Sequence, residues 1–194
     1  MHRRLTRRRG GDDRPYAVPM DRDRALAQLL AKDEIWQCML RYSRGLDRLE
    51  LDLLRSAYWD DATTCHGGAN GSVDDFLAFW LPAQPGREVV QHTMTNFSVR
   101  FDGPDAADVE TYFVAYLKTR GDDRLEMLGG RYVDRFECRA GEWRILTRLL
   151  LFDWRATADA SEMIERLAAS HRGTRDRNDP SYESPVAPRG LPPQ

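Results

Sequence analysis

Cysteine and long apolar runs are scarce in this sequence. The 194 residues include only Cys38, Cys65 and Cys138, which are too few and too scattered for a disulfide framework, so a reducing, cytoplasmic location is expected. The longest apolar run, at about 145–152, falls far short of the roughly 18 residues that a membrane span needs. The sequence therefore predicts a soluble protein with no membrane partner.

An excess of one charge sign is also missing. Lys and Arg number 29 and Asp and Glu number 31, a formal net charge of -2, which argues against a protein whose main role is to bind nucleic acid. With 41% hydrophobic residues, the chain holds enough apolar material for one globular core.

The motifs of several common enzyme and cofactor classes are absent as well. The sequence contains no GxGxxG, no Walker loop, no HExxH and no GxSxG. Its four histidines are His2, His66, His92 and His171, two of them near the ends of the chain, so a multi-histidine metal site is not expected. We expect neither a metal nor a cofactor.

The two ends differ in composition from the middle. Residues 1–20 carry six arginines and few apolar side chains, which predicts a disordered basic extension, and Met20 is an alternative start of translation. No apolar segment of the kind that a signal peptide requires follows these arginines. Residues 172–194 hold five of the ten prolines and predict a disordered, solvated tail. The folded domain is therefore predicted to span 21–171.

Helical spacing dominates the first part of that domain. Between Arg24 and Trp59 apolar residues recur every three or four positions, which predicts two or three helices. Gly45 begins the predicted break between them, and Asp52 is a candidate N-cap for the second helix. A further short helix is predicted from the capping-box sequence that starts at Ser72.

From residue 86 onward the apolar residues alternate with period two, which predicts an antiparallel meander joined by tight turns. The four predicted strands span 88–101, 107–118, 124–138 and 142–154. A last helix is predicted from about Thr157, a candidate N-cap, to Ala169. Helices followed by a curved antiparallel sheet give an α+β fold in which the helices cover the concave face of the sheet.

A few polar residues interrupt the apolar faces, as a pocket between sheet and helices would require. His92 and Asn96 share one face of their strand with Val90 and Met94. Arg148 is in phase with the apolar residues of the last strand, and a buried arginine needs a carboxylate or an anionic ligand.

Two more candidates lie on the first predicted helix. Tyr42 belongs to its apolar stripe, and Asp47 lies five residues later, where it could turn inward. Each has a plainer interpretation, because Tyr42 alone is more often a core residue and a lone strand histidine such as His92 is more often structural. Arg148 alone is more often an ion-pair partner, here for one of three residues: Asp47, Asp61 or Asp134.

Two residues between the helices and the meander have plain interpretations as well. Asp61 is interpreted as a turn or cap residue. His66, next to Gly67 and Gly68, could line a pocket entrance, although a flexible loop is the simpler interpretation.

Several segments look familiar in this order and spacing. They are residues 42–47 (YSRGLD), 58–62 (YWDDA), 91–96 (QHTMTN), 130–132 (GRY) and 141–145 (GEWRI), together with Arg148. The chain resembles the SnoaL-like branch of the nuclear-transport-factor-2-like superfamily over about residues 24–155. This resemblance implies a cone-shaped α+β fold.

The resemblance also implies roles for individual residues. In the eliminating enzymes of this branch, such as scytalone dehydratase, a strand histidine acts as the base and a helix-end aspartate orients it, roles that fall on His92 and Asp47. The resemblance adds Tyr42 and Arg148 to the catalytic set. Five further residues are predicted to contact the substrate: Asn96, Tyr58, Trp59, His66 and Tyr132.

The function that the resemblance implies is a cofactor-independent lyase. It would eliminate water or another leaving group from a small, hydrophobic, cyclic or steroid-like substrate. An isomerase or polyketide-type cyclase that uses the same dyad is an alternative. A non-catalytic ligand-binding or assembly subunit is another, and it predicts a blocked pocket or a His92 far from Asp47.

Association into a homo-oligomer, a dimer or trimer, is expected from the apolar positions of the strands. The residues that would make an outer sheet face too apolar for exposure are Phe97, Val99, Phe101, Phe113, Val133 and Ile145. The sequence leaves open which strand face is concave, and some of these residues could instead pack under the helices.

Overall fold

One long helix opens the fold and packs against a six-stranded sheet. The computed structural model describes residues 21–162, 170 and 172–183. Its helices are α1 (Arg22–Arg48), α2 (Leu51–Arg55) and α3 (Val73–Trp80), and α3 continues into a 3-10 turn at Leu81–Ala83. Within the described part of the chain, no helix is both long and apolar enough to cross a membrane. The disorder predicted for residues 1–20 lies outside the described residues, as do residues 184–194.

The sheet combines the predicted meander with two strands that the sequence analysis did not find. The strands are β1 (Tyr58–His66), β2 (Ala69–Ser72), β3 (Arg87–Phe101), β4 (Ala106–Thr119), β5 (Arg124–Arg139) and β6 (Glu142–Asp159). Their order is β2-β1-β6-β5-β4-β3, so β2 and β3 form the two edges. Only the β1–β6 pair is parallel among these strands. The α+β fold and the four long strands are confirmed.

The core lies between α1 and the concave face of the sheet. Five α1 residues at helical spacing are buried: Ile35, Cys38, Met39, Tyr42 and Leu46. They belong to one apolar cluster with residues of the sheet that include Phe136 and Ile145. At its start, α1 is capped by the Asp21 side chain, which accepts hydrogen bonds from the main-chain N–H groups of residues 23 and 24.

Gly45 lies inside α1, not at a break. A Cβ atom at this position would lie 2.7 Å from the main-chain nitrogen of Leu54, so only glycine allows α2 to pack this close. The C-terminal end of α1 is capped by Leu49, which adopts a left-handed conformation and donates its N–H to the Gly45 carbonyl. Asp52 is not the N-cap of α2, because Glu50 occupies that position and makes no side-chain cap bond.

The helical interpretation of the chain up to Trp59 is also wrong at its end. α2 stops at Arg55, and β1 begins at Tyr58. The capping box at the start of α3 is confirmed: Ser72 Oγ accepts the Asp75 N–H, and Asp75 Oδ2 accepts the Ser72 N–H at 2.8 Å.

An irregularity in β3 changes which residues face the core. The pairing of β3 with β4 shifts between Met94 and Phe97, and the shift reverses the alternation beyond it. Phe97 and the two apolar residues that follow it at alternate positions, Val99 and Phe101, therefore pack against the core on the same side as Val90. They do not belong to the outer sheet face on which they were predicted to lie.

Most of the apolar residues that were expected to form an outer face for self-association are buried or partly buried. Phe113 and Ile145 are buried, and Phe97, Val99 and Phe101 are partly buried against the core. Of the six residues named for that face, only Val133 is among the exposed large hydrophobic residues.

The end of the described chain differs from its sequence-based interpretation. Residues 157–159 belong to β6, whereas they were predicted to begin a helix, and residues 163–169 of that helix lie outside the described residues. Residues 172–183 lie against the C-terminal end of α1 and the start of α2, where Arg175 contacts Asp47 and Tyr182 contacts Glu50. Within this segment Asp179 is buried and pairs with Arg48 at 3.6 Å. The proline-rich composition had predicted a solvated tail there, but charged residues of the segment find partners on the domain.

Candidate functional site

Asp47 and His92 meet where the last turn of α1 lies beside β3. The Asp47 Oδ1 atom is 2.7 Å from His92 Nδ1, and the same carboxylate accepts the main-chain N–H of His92 at 3.0 and 3.1 Å. A carboxylate can only accept hydrogen bonds, so the ring proton belongs on Nδ1 and Nε2 keeps its lone pair. An imidazole held in this way can take a proton at Nε2, and the carboxylate stabilises the imidazolium that forms.

A cavity of about 260 Å³ adjoins His92, between the sheet, α1 and α3. Twelve of its lining residues are apolar: Leu46, Phe76, Phe79, Trp80, Ala83, Val90, Phe113, Ala115, Leu117, Leu128, Leu150 and Phe152. The polar ones are Tyr42, His66, Gln84, Arg87, His92 and Tyr132. An apolar cavity with a few polar groups is typical of a site for a small hydrophobic ligand.

Tyr42 and His66 form a second polar pair on the cavity wall. The Tyr42 hydroxyl is 3.1 Å from His66 Nε2, the Thr64 hydroxyl bonds to Nδ1, and the His66 ring stacks on Phe76 at 4.0 Å. Burial, reinforced by the positive charge of Arg148, lowers the pKa of His66 to about 3. His66 is therefore neutral at physiological pH, with one ring nitrogen as donor and the other as acceptor. Burial also raises the pKa of Tyr42, which keeps its phenol protonated.

Arg148 lies behind this wall and does not line the cavity. Its Nε and Nη2 atoms donate to the two carboxylate oxygens of Asp134 at 2.8 and 2.7 Å, and both side chains are completely buried. Its guanidinium carbon is 4.1 Å and 4.2 Å from the ring centroids of Tyr42 and Tyr132. Burial opposes the charge of Arg148, but Asp134 holds its pKa well above the usual range. Of the three carboxylates considered from the sequence, Asp134 is the partner.

The structure brings only some of the predicted substrate residues to the cavity. His66 and Tyr132 line it. Tyr58 is buried but is not part of the lining, and the Trp59 indole N–H donates to a main-chain carbonyl of β5. Asn96 is exposed, because it follows Met94 at the irregularity of β3.

Two residues that the sequence analysis interpreted as loop or turn belong to β1. His66 ends this strand and is buried, and Asp61 lies within it and pairs with Arg139 at 2.8 Å. Ala62, Thr64 and His66 are buried at alternate positions of this strand, but two of the three are polar, so the sequence shows no apolar alternation there. Gln84 and Arg87, which also line the cavity, were not identified from the sequence.

The described residues contain no group of three or more His, Cys, Asp or Glu side chains arranged to hold a metal ion. Cys38, Cys65 and Cys138 are all free thiols.

Comparison with known proteins identifies the family. Residues 27–149, more than half of the chain, match the SnoaL-like domain. The chain belongs to the SnoaL-like domain family. Among curated proteins no significant match is found.

Solved structures similar to this SnoaL-like chain include proteins named as eliminating enzymes. A candidate scytalone dehydratase from Novosphingobium aromaticivorans is 18% identical, with 68% of this chain and 90% of that chain covered and a TM-score of 0.64. A hexachlorocyclohexane dehydrochlorinase from Novosphingobium barchaimii is 18% identical, with coverages of 69% and 94% and a TM-score of 0.61. A Mycobacterium tuberculosis protein of unknown function is 22% identical, with coverages of 70% and 78% and a TM-score of 0.55. At these identities the likeness establishes the fold of the SnoaL-like chain and not its substrate.

Proposed function

We propose that this SnoaL-like protein is a cofactor-independent lyase that eliminates water or another leaving group from a small, hydrophobic, cyclic substrate. The observation that carries the proposal is the 2.7 Å contact between Asp47 Oδ1 and His92 Nδ1, made at the wall of an apolar cavity. A non-catalytic module of this fold would instead have its cavity blocked or these two side chains apart.

The reaction begins with His92. Its Nε2 atom takes a proton from a carbon next to an electron-withdrawing group of the substrate, and Asp47 stabilises the resulting imidazolium. The electron pair of the broken C–H bond forms a double bond as the leaving group departs from the adjacent carbon. A hydroxyl group leaves as water once its oxygen has gained a proton, and a halogen leaves as the halide anion.

Tyr42 supplies the proton that a leaving hydroxyl needs, or a hydrogen bond to the carbonyl that becomes an enolate. Its raised pKa makes it a donor and not a base. When Thr64 donates to His66 Nδ1, the His66 Nε2–H donates to the Tyr42 oxygen, and the phenolic proton is left for the ligand. Arg148 acts on this step only through Tyr42, because it does not line the cavity.

The size of the cavity favours a compound of one or two rings over a four-ring steroid. Its volume of about 260 Å³ lies just below the range for ligand sites, which is roughly 300–1,000 Å³. The half-exposed rings of Phe79 and Phe152 line the same cavity and favour aromatic or alicyclic ligands.

The test uses one- and two-ring ketones that carry a hydroxyl or a halogen on the β-carbon, incubated with the protein in deuterated water. We expect loss of the leaving group, detected by mass spectrometry, and a loss of at least about a hundredfold in rate for His92→Gln. Gln91→Ala is the matched control, because Gln91 is the exposed neighbour of His92 on β3. Circular dichroism checks that both variants fold.

Each other result has a defined meaning. Deuterium uptake without loss of the leaving group would favour an isomerase or cyclase. Binding without uptake would favour a non-catalytic module. A His92→Gln variant that eliminates at the wild-type rate would overturn the assignment of the base.

A further inference from the structure

The described C-terminal segment, residues 172–183, places an arginine against the main chain behind the candidate site. The Arg175 guanidinium donates to five acceptors within hydrogen-bond distance. They are the carbonyls of Leu46 (3.2 Å), Asp47 (3.1 Å), Gln84 (3.4 Å) and Arg87 (3.4 Å), and Oε1 of Gln84 (3.0 Å). One side chain therefore connects the end of α1 to the segment between α3 and β3.

The contacts with α1 satisfy groups that the helix itself leaves unpaired. The last carbonyls of an α-helix have no intrahelical partner, and the C-terminal end of the helix carries partial negative charge. A cation that donates to the carbonyls of Leu46 and Asp47 stabilises this end of the helix, because it pairs the free carbonyls and offsets their negative charge. Burial lowers the pKa of Arg175 to about 10. This value is still well above neutral pH, so the guanidinium stays charged.

The contacts on the other side reach the cavity wall. Gln84 and Arg87 both line the cavity, and Gln84 is buried, with its amide donating to the Trp80 carbonyl. Arg175 thus holds the helix turn with Asp47 at a fixed position relative to the start of β3, five residues before His92.

Further contacts anchor the segment that carries Arg175. Asp179 pairs with Arg48 and accepts the main-chain N–H groups of Thr174 and Ser181, and the Tyr182 hydroxyl donates to Glu50 at 2.5 Å. The segment lies beyond residues 27–149, which match the SnoaL-like domain.

We propose that Arg175 is a positioning residue that fixes Asp47, and through it the His92 ring, by tying the end of α1 to the Gln84–Arg87 wall. Its importance for turnover rests on the proposed function. Its effect on the geometry of the Asp47–His92 pair does not, and can be measured without a substrate.

The experiment measures hydrogen exchange of the His92 main-chain amide by NMR in the full chain. This N–H is held by the Asp47 carboxylate, so its protection reports whether Asp47 stays in place. The amide of Val109, a buried residue of the interior strand β4, is the internal reference for opening of the whole sheet. In Arg175→Met we expect exchange at His92 to become about tenfold faster relative to Val109.

Arg177→Met is the matched control from the same segment. Arg177 pairs with Glu50 at 3.2 Å and stacks on Tyr182, so its loss leaves the carbonyls of the α1 end with their Arg175 contacts, and the exchange ratio should not change. Arg175→Lys, which has a single ammonium group in place of the guanidinium, should give an intermediate exchange ratio. This variant provides the test if Arg175→Met does not fold.

An unchanged ratio in Arg175→Met, or in Arg175→Lys if that variant has to be used, would overturn the proposal. If Arg175 only stabilised the fold as a whole, its loss would accelerate amide exchange at His92 and at Val109 equally. If the ratio changes as expected but no ketone is turned over, the positioning role stands and the proposed lyase function fails.

Discussion

The Asp47 carboxylate contacts His92 at two points, the ring Nδ1 and the main-chain N–H. The first contact determines which ring nitrogen carries the proton, and the second sets the distance between the end of α1 and the strand. Both contacts depend on the same carboxylate. A substitution that preserves the shape of this side chain but not its charge therefore separates the two effects.

The substitution Asp47→Asn makes that separation. The amide oxygen can still accept the His92 main-chain N–H, but the amide nitrogen can donate to Nδ1, which moves the ring proton to Nε2 and removes the base. We expect the rate at which the ketone substrate loses its leaving group to fall about 10²- to 10⁴-fold, with little loss of protection at the His92 amide. Asp52→Asn, at an exposed position on α2, is the control and should retain the wild-type rate. An unchanged rate in Asp47→Asn would contradict the proposed role.

The neutral state of buried His66 predicts a dependence of stability on pH. The pKa is about 3 in the folded protein and near 6.5 in the unfolded chain, so the unfolded chain gains the proton first as the pH falls. The free energy of unfolding should therefore decrease from about pH 6.5 downward, by about 2 kcal/mol at pH 5 from this residue. Urea unfolding of wild type and His66→Gln at pH 7, 6 and 5 measures the effect. The variant should lose less stability across this range, and equal losses in both proteins would refute the expectation.

The buried pair of Arg148 and Asp134 predicts a non-additive response to mutation. Removal of one partner leaves an uncompensated buried charge, so Arg148→Met should cost about 3–5 kcal/mol in urea unfolding. The double variant Arg148→Met/Asp134→Leu should cost less than the single one. Arg139→Ala, which breaks the exposed pair with Asp61, is the comparison and should cost at most about 1 kcal/mol. A double variant less stable than Arg148→Met would show that the pair is not the reason for the effect.

Gly45→Ala tests the close packing of α1 and α2. In an exposed helix, alanine in place of glycine stabilises by about 1 kcal/mol. Here the added Cβ would lie 2.7 Å from the Leu54 nitrogen, and backbone cannot move aside as cheaply as a flexible side chain. We expect a lower melting temperature and faster His92 amide exchange, because the same helix turn carries Asp47. A stabilised variant would show that α2 moves away without cost.

The meander could be predicted because its information is local. Each long strand alternates over many residues, and a short turn follows it, so neighbours in sequence are neighbours in the sheet. β1 was not found in this way, although its antiparallel partner β2 follows it directly, because its alternating buried positions include the polar residues Thr64 and His66. Its other partner is β6, some 80 residues later, as in the pairing of Thr64 with Arg148.

The candidate site was predicted only in part. The apolar pattern of β3 changes parity between Met94 and Phe97, which is the sequence signal of an irregularity, and Asn96 lies at that point. Arg175 offers no such signal, because most of its partners are main-chain carbonyls that any residue provides. Composition alone therefore describes its segment as a solvated tail.

The position of β3 at an edge of the sheet gives the Asp47 carboxylate another consequence. An edge strand presents unpaired N–H groups to which a strand of another molecule can add. At His92 that group is already occupied, because Asp47 takes the place that the carbonyl of an added strand would need. Besides its contact with the His92 ring, Asp47 therefore leaves no free N–H at this point of the edge to which another strand could bond.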